Sequence, residues 1–132
     1  MGLIYLDSCL VIYAFENHPQ WGQPVRAALA REPQARFAIS PLVTLECLVA
    51  PMRSGNLTLQ RYYEQGLQQF QILPMPESVY AQAAVLRARW GLKTPDALHL
   101  STAVTHGCTA LWTADDRLQR AAQGLAVNVL PA

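Results

Sequence analysis

Thr94-Pro95-Asp96-Ala97-Leu98-His99-Leu100-Ser101-Thr102-Ala103-Val104-Thr105-His106-Gly107 leads through Cys108-Thr109 into Ala110-Leu111-Trp112-Thr113-Ala114-Asp115. Thr-Pro is a helix start, with a hydroxyl cap and a proline at the first helical position. The helix runs to His106 and stops at Gly107, a C-cap glycine. Almost every residue inside it is apolar or small, so it belongs in the interior, with its N-terminus as the polar end. The apolar run Ala110–Trp112 is too short for a helix and reads as a buried strand. An acid, Asp115, follows it closely. A buried helix feeding a buried strand that ends near a carboxylate is one unit of a parallel α/β sheet.

The same grammar extends outward in both directions. Leu3-Ile4-Tyr5-Leu6 reads as a first strand ending at Asp7, followed by a helix from Ser8 to about Asn17. Pro19 and Pro24 open a helix to about Arg31. Phe37-Ala38-Ile39 is a second strand. Ser40-Pro41 then starts a helix ended by Gly55, with Leu42, Leu45, Leu48, Val49 and Met52 spaced for one apolar face. A helix over about 57–70 leads to a third strand, Gln71-Ile72-Leu73, stopped by Pro74 and Pro76. A long helix spans about 78–90 and closes at Gly91. Beyond Asp115, a short helix reaches about Ala122 and Val127–Leu130 forms a fifth strand. Strands alternating with helices pair in parallel through right-handed crossovers. The expected fold is a three-layer α/β/α domain with a central parallel five-stranded sheet. In such sheets ligands bind beyond the carboxyl ends of the strands, where strand order reverses.

The 132 residues are 52% hydrophobic and 14% charged, and residues 1–132 are read as a single domain. The low charge implies a large interior or an apolar surface that a partner covers. No stretch has the length of a membrane span, and the N-terminus lacks the basic region of a secretory signal, so a cytoplasmic protein is expected. The three cysteines, Cys9, Cys47 and Cys108, are odd in number and unpatterned, which fits buried small hydrophobes better than disulfides or zinc. If four of the nine acids gather in one site, the other five face ten basic residues. That surplus of five suits a phosphodiester substrate around an acidic, metal-loaded pocket.

Asp7, Glu46, Asp96 and Asp115 are the candidate site. Three of them have an ordinary structural use. Asp7 and Asp115 can cap the helices that follow. Asp96, expected at the second helical position, gains about 0.3–1 kcal/mol from the helix dipole. Glu46 has no such use. It sits about two turns into an apolar helix, and burying an unpaired carboxylate costs several kcal/mol unless a cation answers it. Four carboxylates without a cysteine or histidine set point to a hard ion, Mg²⁺ or Mn²⁺. Carboxylates holding such an ion support displacement at phosphorus. Of the adjacent acids Asp115 and Asp116, the first lies nearer the strand end and is preferred. His99, one turn after Asp96, is either a ligand or base or, the favoured reading, a histidine bonded to a neighbour. Ser8, Thr44 and Thr113 stand beside the acids and can orient them, Thr113 first among them.

Taken together, Tyr5-Leu6-Asp7-Ser8, Ile39-Ser40-Pro41-Leu42-Val43-Thr44-Leu45-Glu46, Pro95-Asp96-Ala97-Leu98-His99-Leu100 and Trp112-Thr113-Ala114-Asp115 resemble the PIN domain. Within that family the likeness is to the VapC-type toxins of VapBC toxin–antitoxin pairs. The resemblance covers nearly the whole chain. It implies Asp7, Glu46, Asp96 and Asp115 as catalytic and metal-binding acids for one or two Mg²⁺ or Mn²⁺ ions. It further implies cleavage of RNA with inhibition of translation, a cognate antitoxin that blocks the site, and a homodimer. Cys9 departs from the family's usual Ser or Asn two residues after the first aspartate. Arg53 and Lys93 are candidate RNA phosphate contacts. Two rivals remain: a PIN nuclease of RNA processing or DNA, and a non-catalytic binding module. A phospho-receiver domain is excluded, because Asp7 has no paired acid and no lysine follows the fourth or fifth strand.

Overall fold

The structure, a computed structural model, describes residues 2–122 and 124–130. The outermost residues of the expected domain, 1, 131 and 132, lie outside that span. The strands are β1 (Leu3–Leu6), β2 (Arg36–Ile39), β3 (Gln71–Ile72), β4 (Ala110–Trp112) and β5 (Ala126–Val127). The helices are α1 (Ser8–Phe15), α2 (Gly22–Ala30), α3 (Pro41–Ser54), α4 (Leu57–Gly66), α5 (Glu77–Trp90), α6 (Thr94–Thr105) and α7 (Asp116–Ala121). A 3-10 turn, Leu67–Gln69, precedes β3.

All strand pairs are parallel, in the order β3-β2-β1-β4-β5. From β1 the chain moves outward through β2 and β3, returns across the sheet to β4, then moves outward to β5. Right-handed crossovers put α1–α4 on one face and α5–α7 on the other. The packing agrees: α1 meets α2 and α3, and α3 meets α4, while α6 meets both α5 and α7. This is the expected three-layer α/β fold. Strand order reverses between β1 and β4, so the crevice for a ligand opens at their carboxyl ends.

The three central strands, β1, β2 and β4, are largely buried because both faces are covered, whereas the edge strands β3 and β5 are mostly exposed. Tyr5, Leu6, Ala38, Ile39, Leu111 and Trp112 all lie in the core. The interior position expected for α6 is also found, with Ala97 through Ala103 buried. Its polar members bond internally: Ser101 Oγ donates to the Val79 carbonyl and Thr102 Oγ1 to that of Leu98, both at 2.7 Å. Gly107 takes the left-handed conformation expected after this helix, φ 66°.

Several details differ from expectation, among them the end of α4 at Gly66, where a 3-10 turn takes over. Helix α3 turns Val43, Cys47 and Pro51 to the core and leaves Leu45 58%, Val49 40% and Met52 52% exposed. This helix is apolar nearly all round, so its period could not select a face, and the smaller side chains take the side that packs. Helix α6 includes Thr94 and takes Lys93 as its cap residue, which moves Asp96 to the third helical position. Helix α2 starts at Gly22 rather than at Pro19. Strand β5 ends at Val127, because the Asn128 side chain then accepts from the Leu130 amide and turns the chain.

Among the described residues no helix is long and apolar enough to cross a membrane. The three thiols are free, with Cys47 and Cys108 buried and Cys9 partly so. Burial pushes Cys9 and Cys47 up to about 12 and Cys108 up to about 11, which keeps them as neutral thiols near pH 7.

Candidate active site

The first acid follows β1. Asp7 has the extended backbone of a helix cap, yet its side chain caps nothing. It is 6% exposed. Its Oδ2 accepts from Thr113 Oγ1 at 2.7 Å, and Oδ1 accepts from Ser8 Oγ at 3.4 Å. The Thr113 hydroxyl also accepts from the Asp115 amide at 3.1 Å. Because β1 and β4 are adjacent, one hydroxyl links the acid after one strand to the backbone of the acid after the next.

Glu46 reaches the same place from α3. Its Oε1 lies 2.7 Å from His99 Nε2, which is also 3.7 Å from Asp7 Oδ1. Asp7, Glu46 and His99 each offer one ligand atom, and the three atoms lie within 4.8 Å of one another. Burial pushes the Glu46 carboxyl up, but the hydrogen bond and charge of His99, with the Ser8 hydroxyl, outweigh it and hold the group below its ordinary value.

His99 is the hub of a buried chain of hydrogen bonds. Its Nδ1 lies 2.6 Å from Tyr5 Oη, which lies 2.7 Å from Ser40 Oγ. Since Nε2 faces two carboxylates, it carries a hydrogen and donates. Nδ1 is then free to accept from Tyr5 when the ring is neutral, with Ser40 donating to Tyr5. Burial holds the Tyr5 phenol well above its ordinary value, so it remains a hydroxyl. Glu46 is thereby tied to the core through His99, Tyr5 and Ser40.

Asp96 and Asp115 stand just outside the three-atom group. Both line a cleft of about 390 Å³ with Lys93, Asp116, Arg117 and Arg120. Burial, then the charges of Asp115 and Asp7, push the Asp96 carboxyl above its ordinary value. Four carboxylates thus share one field, with a single buried histidine among them. Asp115 also performs the cap expected of it: Oδ1 accepts from the Arg117 and Leu118 amides at 2.8 and 3.1 Å. Its second oxygen makes no hydrogen bond among the described residues.

This donor set suits a hard divalent ion. Carboxylate oxygens predominate and the negative charge is in excess. Asp7 and Glu46 are the residues best placed to hold such an ion.

Lys93 lines the cleft, but Arg53 does not. Arg53 lies in the last turn of α3, about 10 Å along the helix from Glu46 at 1.5 Å per residue. Tyr5, Ser40, Arg117 and Arg120 did not stand out in the sequence. Tyr5 is the one polar-tipped residue in an apolar strand, a weak signal. The two arginines follow Asp115 in the next helix, a place where a cation reaches the crevice.

The sequence model of the PIN domain matches residues 4–124. No curated protein matches. The fold is similar to several solved structures. One is a toxin–antitoxin complex from Klebsiella pneumoniae, 22% identical over 98% of this chain and 99% of that one, with a TM-score of 0.81. Another is VapBC2 from Rickettsia felis bound to a promoter DNA fragment, 18% identical over 96% and 98%, TM-score 0.80. A third is FitAcB from Neisseria gonorrhoeae, 22% identical over 96% and 97%, TM-score 0.75. The family match runs from the first strand past the last helix, and the parallel sheet has the architecture of these structures: the chain belongs to the PIN domain family.

Proposed function

We propose that the chain is a metal-dependent endoribonuclease, the toxin half of a toxin–antitoxin pair that inhibits translation in the cytoplasm. The observation that carries this is the meeting of Asp7, Glu46 and His99 within 4.8 Å at the strand-order reversal, with Asp96 and Asp115 beside them. Asp7, Glu46, Asp96 and Asp115 are the proposed catalytic and metal-binding acids, and Mg²⁺ or Mn²⁺ the ion. When bound, the ion supplies positive charge and Lewis acidity at the phosphodiester. Thr113 and Ser8 hold the Asp7 carboxylate, and His99 holds Glu46. Both acids thus keep one orientation before an ion arrives. Lys93, on the rim, is placed to take an RNA phosphate.

The toxin assignment draws on the similar structures, which were solved as toxin–antitoxin assemblies. A protein partner also suits the surface. Leu45, Val49 and Met52 on α3 and Leu57 and Tyr62 on α4 are at least 40% exposed. We assign such cover to a cognate antitoxin and to a second copy of the chain. The reading as a non-catalytic module finds support at Asp115 alone, whose cap bonds are a sufficient structural use.

Purified protein and its Asp7→Asn variant, incubated with RNA and Mg²⁺, Mn²⁺ or EDTA, test the proposal. Cleavage that needs metal and disappears in the variant is expected. Equal cleavage by both proteins would overturn the assigned site, and no cleavage together with no Mn²⁺ binding would overturn the nuclease.

A further inference from the structure

We infer that the cleft continues into a subsite where one unpaired base of a single-stranded RNA stacks on the Trp90 indole while Arg117 and Arg120 hold its phosphates. This rests on the nuclease reading above. Arg117 and Arg120 line the acidic cleft, and the same two residues line an adjoining hollow of about 340 Å³ with Trp90, Gly91 and Ala121. The two spaces are therefore neighbours that share these two arginines. A chain whose scissile phosphate lies at the acids passes these groups and reaches the indole.

The cations are uncommitted. Three carboxylates share the cleft walls with Lys93, Arg117 and Arg120. Yet among the described residues the ion pairs within 4.0 Å are those of His99 alone, and none of the three side chains donates a hydrogen bond. A guanidinium without a partner beside open space is available to an incoming phosphate.

The indole is uncommitted as well. Trp90 ends α5 and is 42% exposed, whereas Trp112 lies in the core. Among the described residues it pairs with no other aromatic ring. Gly91 then turns the chain away in the left-handed conformation, and a side-chain carbon there would meet nothing within 4 Å. The space beside the ring is open. Cations that track phosphates, with an aromatic face beside them, are what holds a single strand. A duplex keeps its base faces stacked on one another and offers none to the indole.

The test measures binding of a short, unstructured, labelled RNA by fluorescence anisotropy in the Asp7→Asn background with Mg²⁺. Trp90→Ala is expected to bind about 5- to 150-fold more weakly, the range for loss of one base–aromatic stack, and Trp90→Phe to retain most of the affinity. An RNA backbone lacking its bases should cost the parent a similar factor and cost Trp90→Ala no more. The variant Arg117→Ala/Arg120→Ala should lower the slope of log affinity against log salt by about 0.7 for each phosphate that a guanidinium no longer neutralises. Unchanged affinity in Trp90→Ala, while the wild type still cleaves RNA, would overturn the subsite alone. Neither binding nor cleavage by the wild type would overturn it together with the nuclease reading. A changed sedimentation coefficient for free Trp90→Ala would place the indole in a protein interface and overturn it too.

Discussion

Thr113→Val removes one hydroxyl and keeps the shape of the side chain. In the structure that hydroxyl donates to Asp7 Oδ2 at 2.7 Å and accepts from the Asp115 amide at 3.1 Å. A hydrogen bond to an ionised group contributes about 1.5–3 kcal/mol and a neutral one about 0.5–1.5 kcal/mol. Asp7 is 6% exposed, so water replaces the missing donor poorly and the upper part of the first range applies. The expected loss of stability is about 2–4 kcal/mol in the metal-free protein. The same bond fixes the Asp7 carboxylate against its neighbours. Loss of such an orienting partner typically weakens metal binding about 10- to 100-fold. Chemical denaturation in EDTA measures the first effect, and calorimetric titration with Mn²⁺ the second. Wild-type stability combined with wild-type Mn²⁺ affinity would refute the coupling of β1 to β4 through this hydroxyl.

Divalent ions should stabilise the wild type by about 2.7 kcal/mol at one hundred times the dissociation constant and so raise its unfolding midpoint; thermal melts with and without Mn²⁺ should show no shift for Asp7→Asn. The acids should respond oppositely to neutralisation in EDTA. Asp96 has a raised folded value, so its ionisation destabilises the fold as pH rises from the ordinary carboxylate value through the folded one. Asp96→Asn should therefore be more stable than wild type at pH 7, a gain that vanishes in acid. Glu46 has a lowered folded value, so its contribution is present above the ordinary value and is lost as pH falls through the folded one. Glu46→Gln should be less stable at pH 7, and denaturation curves across pH check both signs. Leu45→Asp, at a 58% exposed position, should change stability by no more than about 0.5 kcal/mol while weakening the binding of a protein partner. Leu100→Ala, in the core, should cost about 2–5 kcal/mol.

The order of elements was legible because most strands lie in short apolar runs and several helices carry a start or stop signal, as Pro41, Gly55, Gly91 and Gly107 do. Asp7 and Asp115 were legible for the same reason, as acids at the ends of apolar runs. Thr113 stood out through its place two residues before Asp115. The face of α3 was hidden, since Leu45 and Val43 are equally apolar and packing against neighbouring elements decides between them. The chain from Ser40 through Tyr5 to His99 was hidden more deeply. Its bonds join residues 35 and 94 positions apart, and no local period records such a pairing. Glu46 was read as a carboxylate needing a cation. Part of that need is met by His99, on the helix whose buried interior the sequence did reveal.

The most direct measurement is the anomalous scattering of Mn²⁺ in crystals of the protein. A peak within about 2.0–2.5 Å of carboxylate oxygens of Asp7 and Glu46, absent from Asp7→Asn crystals grown with the same ion, is the predicted result. A peak elsewhere on the molecule, or none at millimolar Mn²⁺, would contradict the metal site and the nuclease mechanism built on it.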